Sequence, residues 1–152
     1  MVSKTEIENF KKEFPLIKKM VGWSDKEFGD KVGVSRQTIN NLENGKYGLT
    51  KTLYIAMRYV LDEEINAKPE ETKMLKVYLD AFVDHPNNPE YTPEVKAAMR
   101  KKAKLLAPAI EKKTLSREEV SSEWIGAIVG IGAIVAGAIA AIIAGSVGAW
   151  KK

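Results

Sequence analysis

Through residue 123, apolar side chains recur at steps of three and four, the spacing of one helical face, and no stretch alternates with a period of two. Leu16, Ile17, Met20 and Val21 predict a helix with Pro15 in its first turn and Gly22 at its end. Ser24-Asp25-Lys26-Glu27 has the pattern of a capping box, in which the Ser hydroxyl accepts from the Glu27 N–H and the Glu carboxylate accepts from the Ser N–H. Trp23 and Phe28 flank it at the spacing of a hydrophobic staple. Gly33 stops this second helix, because it can adopt the left-handed conformation. Ser35 caps a third, with Val34 and Ile39 as its staple, ending at Asn44-Gly45. Two short capped helices joined by a Gly-containing turn make a helix-turn-helix.

Thr50 caps a fourth helix through Leu53, Ile55, Ala56, Tyr59, Val60 and Leu61. Pro69 opens a fifth, carrying Met74, Leu75, Tyr78, Leu79 and Phe82, and the prolines 86 and 89 break the chain. Thr92-Pro93 opens a sixth with Val95, Met99, Leu106 and Ile110 near one face, which Pro108 should kink or interrupt. Ser116-Arg117-Glu118-Glu119 is a second capping box. The expected fold class is all-α.

From Trp124 to Trp150 no side chain is charged, and the first charge beyond is Lys151. As one helix this run would extend roughly 40 Å at about 1.5 Å per residue. A bilayer core is ~30 Å thick, and a Trp stands at each end where an aromatic belt would lie. The expectation is one helix from about Arg117 to Trp150, with a transmembrane segment at 124–150. Gly126 and Gly130 form a small-xxx-small pair, and Gly132, Gly137, Gly145 and Gly148 join alanines on four-residue spacings. Within lipid such stripes are packing faces, so a homo-oligomer through this helix is expected. The chain then divides into a helix-turn-helix unit (1–68), a helical connector with a basic cluster (69–115) and the long helix (116–152).

Composition removes several classes of function. With 152 residues and no cysteine, disulfides, thiolate catalysis and Cys-type zinc sites are excluded. The lone His85 precedes a proline in a loop and has no partner ligands nearby in sequence. There is no Gly-rich phosphate loop, no nucleophile with a base and no metal-ligand cluster, so neither an enzyme nor a cofactor or metal site is expected. The net charge of +4 hides a local patch: Lys96, Arg100, Lys101, Lys102, Lys104, Lys112 and Lys113 surround the single acid Glu111. Such a patch could meet anionic headgroups, extend a DNA contact, or form the wet face of an amphipathic helix. The first residues lack an apolar core of a secretory signal, so the start of the chain is expected in the cytoplasm.

The stretch SDKEFGDKVGVSRQTINNLENG resembles the XRE family of helix-turn-helix regulators, to which phage repressors belong; the likeness covers about Leu16 to Leu61. Phe28, Gly29, Val32, Gly33, Val34, Ile39, Leu42 and Glu43-Asn44-Gly45 carry it. The resemblance implies a repressor-like bundle whose helix from Ser35 lies in the major groove of double-stranded DNA. Ile39 and Leu42 point inward, leaving Arg36, Gln37, Asn40 and Asn41 as candidate base contacts. Arg pairs with guanine and Gln or Asn with adenine, each for roughly 1–3 kcal/mol of discrimination. Asn44, Lys46, Thr50 and Lys51 fall where the family grips phosphate. Glu43 and Lys18 match a structural ion pair of the family, whereas Asp25 departs from its usual Gln and would repel a phosphate.

Together these readings describe a transcription regulator anchored in the cell membrane by a single pass, its N-terminal domain cytoplasmic, with DNA, the lipid bilayer and further copies as partners. The alternative is a membrane-assembling effector whose glycine-rich helix forms a ring or pore, the helix-turn-helix serving self-regulation or assembly.

Overall fold

The structure, a computed structural model, describes residues 2–131 and 133–144. Among these residues every regular element is helical: α1 (Lys4–Val21), α2 (Asp25–Val32), α3 (Arg36–Glu43), α4 (Lys51–Ala67), α5 (Lys73–Leu79), α6 (Pro93–Glu111), α7 (Arg117–Val129) and α8 (Ala133–Ala144). α5 runs on into one π-helical turn, Asp80–Asp84. The caps form as local chemistry dictates. Ser24 Oγ accepts from the Glu27 N–H at 3.1 Å, and Glu27 Oε1 accepts from the Ser24 N–H at 3.0 Å. Ser35, Thr50 and Thr92 each accept from the N–H three residues on at the starts of α3, α4 and α6, and Ser116 forms a second capping box at α7.

Three boundaries differ from expectation. α1 starts at Lys4, capped by Ser3, so Pro15 lies inside the helix instead of opening it. Ile7, Phe10, Phe14, Ile17 and Val21 continue one face across the proline, and the last four are buried. Each such burial is worth about 1.5–3 kcal/mol, which together outweighs the ~3 kcal/mol cost of an interior proline. Pro108 likewise lies inside α6 without interrupting it, one turn before the end. α5 begins at Lys73, residues 69–72 forming a turn.

α1 is the central element. On one side Phe10 meets Tyr54 of α4 edge-on at 5.1 Å, and Phe14 meets Phe28 of α2 at 5.4 Å. On the other side Glu13 accepts from the Tyr78 hydroxyl of α5 at 2.7 Å and pairs with Arg100 of α6. α6 runs beside α1 in the same direction, since Arg100 lies at Glu13 and Ile110 at Gly22, where an added Cβ would come within 2.8 Å of Ile110 Cγ2.

Two arginines fasten the helix-turn-helix to the rest. Arg58 of α4, 1 % exposed, holds Asp84 through both terminal nitrogens at 2.6 and 2.9 Å and donates to Tyr54 Oη at 3.0 Å. Tyr54 in turn donates to Glu6, and burial pushes its hydroxyl well above the ordinary tyrosine range. Arg117 reaches Glu64 at 2.6 Å, Glu71 at 2.8 Å and the Val21 carbonyl at 3.1 Å.

Within the helix-turn-helix, glycine is required where α2 meets the start of α3. A Cβ on Gly29 would lie 2.6 Å from the Val34 carbonyl oxygen and 3.2 Å from Ser35 backbone atoms, none of which can swing away. Gly33 turns the chain at φ 93°.

The apolar run does not form one helix. α7 packs on α5 and α6 with Val120, Trp124 and Ile128 fully buried, and the Trp124 indole N–H donates to the Met99 carbonyl at 3.0 Å. Trp124 is a core residue, not the edge of a membrane belt. The helix stops at Gly130, where the Ile131 N–H tightens back onto the Ile128 carbonyl at 3.0 Å. α8 then packs on α5 and α7, burying Ile139 to 2 % exposure, and the Lys76 ammonium donates to the Ile143 carbonyl at 3.2 Å. A glycine in a helix costs about 1 kcal/mol relative to alanine, and folding α8 back buries apolar surface in exchange. Among the described residues no helix is long and apolar enough to cross a membrane. The expected single helix from Arg117 to Trp150 is corrected: α7 ends at Val129 and α8 begins at Ala133, while residues 145–150 of the expected span lie outside the described residues. Of the described glycines in the expected small-residue stripe, a Cβ on Gly126 or Gly137 would touch nothing within 4 Å, and one on Gly130 only its own turn. Gly132, Gly145, Gly148 and Trp150 lie outside the described residues.

Trp124→Ala should lower stability by about 3–5 kcal/mol through the cavity it leaves. Chemical denaturation of the full chain measures this, and an unchanged midpoint would place Trp124 outside the core. Gly29→Ala should cost about 1–3 kcal/mol by overpacking against backbone, seen as a lower thermal midpoint.

Candidate nucleic-acid interface

α3 buries Ile39 completely and Leu42 almost so, against a helix pair whose other wall is Phe28. What remains outward is polar. Arg36 and Gln37, on the first turn of α3, are exposed; Asn40 is half-buried. A cleft of about 470 Å³ lies between the starts of α2 and α3, lined by Ser24, Asp25, Lys26, Arg36, Gln37 and Asn40. The structure thus brings three of the four expected base-contacting residues to one opening.

Asn41 is the exception. It is 8 % exposed, because the loop after α3 folds back over it and the Lys46 N–H donates to its carbonyl at 2.9 Å. Its side-chain oxygen accepts from Gln37 Nε2 at 3.0 Å. The expected outward placement of Asn41 is therefore corrected: it supports Gln37 from below. A second chain of amides runs alongside, Asn44 Nδ2 donating to Asn40 Oδ1 at 3.1 Å and Asn40 Nδ2 to Asp25 Oδ2 at 3.3 Å.

Asp25 is answered within the protein. Lys18, 7 % exposed, lies 2.9 Å from Asp25 Oδ1 and 3.8 Å from Glu43 Oε1, so the expected Lys18–Glu43 pair forms with Asp25 as a third member. Burial raises the Glu43 carboxyl above its ordinary value, while Lys18 pulls it down. The capping bond from the Ser24 N–H has the opposite effect on Glu27, holding its carboxyl below the usual range.

The candidate phosphate contacts follow on the loop that leads to α4. Asn44, Lys46, Thr50 and Lys51 are all exposed. Thr50 Oγ1 accepts from the Leu53 N–H at 3.2 Å, which caps α4 and places Lys51 on its first turn. The positive end of a 17-residue helix dipole joins the lysines there. Sequence reasoning missed Tyr47, 59 % exposed between Lys46 and Thr50. Its signal was available: an aromatic in a polar loop with no apolar partner at helical spacing.

No curated relative and no solved structure matches the chain. The family model described as helix-turn-helix matches residues 16–61, the stretch from the second half of α1 through the first part of α4. Over those residues the chain carries a helix-turn-helix domain of the XRE type, the kind found in DNA-binding regulators.

Proposed function

We propose that this protein is a transcription regulator that reads a defined duplex sequence through the N-terminal turn of α3. The observation that supports it is the exposure of Arg36 and Gln37 on one cleft beside the start of α2, with Asn44, Lys46, Thr50 and Lys51 on the adjoining loop. Arg36 would bond a guanine through its planar fork, and Gln37 an adenine. Asn40 would exchange its bond to Asp25 for a base edge. Asn41 would hold Gln37 in orientation. Asn44, Lys46, Thr50 and Lys51 would set the register by holding phosphates, with Tyr47 beside them. Tethering to a bilayer, and oligomerisation through the apolar run, have no support among the described helices.

Selection from a random duplex library by the full chain should enrich one motif. Arg36→Ala should relax preference at a single position by roughly 1–3 kcal/mol. Lys46→Ala should instead weaken binding to all sequences and flatten the slope of log affinity against log salt by about 0.9. A library without an enriched motif, or a motif indifferent to Arg36→Ala, would overturn this reading.

A further inference from the structure

We propose that a cationic strip across α1 and α6, built on Lys11, Lys12, Lys101 and Lys104, holds phosphates of the duplex beyond the stretch that α3 addresses. It rests on the reading of α3 as the groove-reading helix, and extends the contact to a part of the chain outside the helix-turn-helix.

The strip begins at the site itself. A shallow groove of about 410 Å³ is lined by Lys11 and Lys12 of α1 on one wall and by Asn44 and Gly45, just after α3, on the other. The α1 lysines therefore adjoin the loop that carries Lys46. From there the cations pass to α6. Arg100 of α6 pairs with Glu13, the residue that follows Lys12, so α1 and α6 lie side by side at this point.

Helical spacing carries the strip along α6. Lys104 lies one turn after Arg100 and two turns before Glu111. Lys104 therefore shares the α1-facing side of α6 with Arg100, and Lys101, three residues before Lys104, borders it. Lys12, Lys101 and Lys104 are exposed.

Most acids in the neighbourhood are spent. Glu13 is held by Arg100 and Tyr78, and Glu43 by Lys18, leaving Glu8 in the groove and Glu111 two turns beyond Lys104. Among the described residues Lys11, Lys12, Lys101 and Lys104 form no ion pair. Four lysines that outnumber the free carboxylates on one side favour a polyanion there, and a duplex is the polyanion that α3 already brings alongside.

The test uses the full chain on mixed-sequence duplexes of roughly 15 and roughly 35 base pairs, about one and a half and over three helical turns. On the long duplex, combining Lys12→Gln, Lys101→Gln and Lys104→Gln should flatten the salt slope by about 2–3, at about 0.9 for each phosphate no longer neutralised. The charge-matched combination Lys68→Gln, Lys73→Gln and Lys102→Gln should leave it unchanged, and the short duplex should show a smaller difference between wild type and the strip variant. An unchanged slope on the long duplex, with Lys46→Gln still flattening it, would overturn the strip while leaving the reading of α3 intact. Wild-type protein that binds neither duplex would overturn both. Loss of binding to vesicles of anionic phospholipid by the strip variant, with its duplex slope unchanged, would assign the strip to lipid and overturn the proposal.

Discussion

A guanidinium sealed from water has to be met by carboxylates, and the placement of Arg58 decides where they come from. Removing such an ion from water costs several kcal/mol even after relaxation. Asp62 on the same helix lies 3.5 Å away, but the close bidentate partner, Asp84, belongs to the π-helical turn after α5. A buried pair of this kind adds little net stability over well-packed apolar side chains; what it does is fix one arrangement. Here it locks α4 to the turn at 80–84 and, through Tyr54 and Glu6, to the start of α1. Arg117 does the same nearer the other end of α4 by holding Glu64. The loop bearing Lys46 and Thr50 leads directly into α4, so these ion pairs, remote from the proposed recognition surface, set how that loop stands relative to α3.

The proposed recognition surface is also shaped by bonds it already makes. Gln37 donates to Asn41, and Asn40 to Asp25, before any ligand arrives. An amide that leaves an internal partner for a base exchanges one hydrogen bond for another, and a neutral hydrogen bond is worth only about 0.5–1.5 kcal/mol net. Arg36 is exposed on the first turn and carries the charge. Discrimination should therefore concentrate at Arg36, with the amides adding orientation. Lys18 matters for the same reason from behind: by neutralising Asp25 it removes the repulsion that a carboxylate at the start of α2 would otherwise present to a phosphate.

How much of this was legible follows from the range of each interaction. Caps at Ser24, Ser35, Thr50, Thr92 and Ser116 are written within four consecutive residues, and all form. Gly29 and Gly33, Phe28 and Ile39 could be assigned because the two helices they join are adjacent in sequence. The Lys18–Glu43 pair came from the family resemblance. The Arg58–Asp84 and Arg100–Glu13 pairs join residues 26 and 87 positions apart, and periodicity contains nothing that selects one carboxylate among many. Asn41 shows the same limit within the site. A helical wheel places it outward, and only the return of the loop, sealed by the Lys46 N–H, covers it.

The apolar run shows what hydropathy measures and what it does not. An absence of charge from Trp124 to Trp150 states that these residues gain by leaving water. It does not say whether hydrocarbon or protein receives them. Trp124 carries one polar atom that distinguishes the two: in a core the indole N–H needs a fixed acceptor, and the Met99 carbonyl supplies it at 3.0 Å. The glycines held the other clue. Gly130 and Gly132 stand two apart in the middle of the run, and each weakens helix propagation by about 1 kcal/mol. The chain turns at Gly130 and Ile131, and α8 lies back on α5 and α7. A first helix with an apolar stripe that matches its neighbours competes with a lipid span for the same residues. In this fold α5 and α6 present such a surface, so the first half of the run, in α7, completes the core around Tyr78 and Trp124.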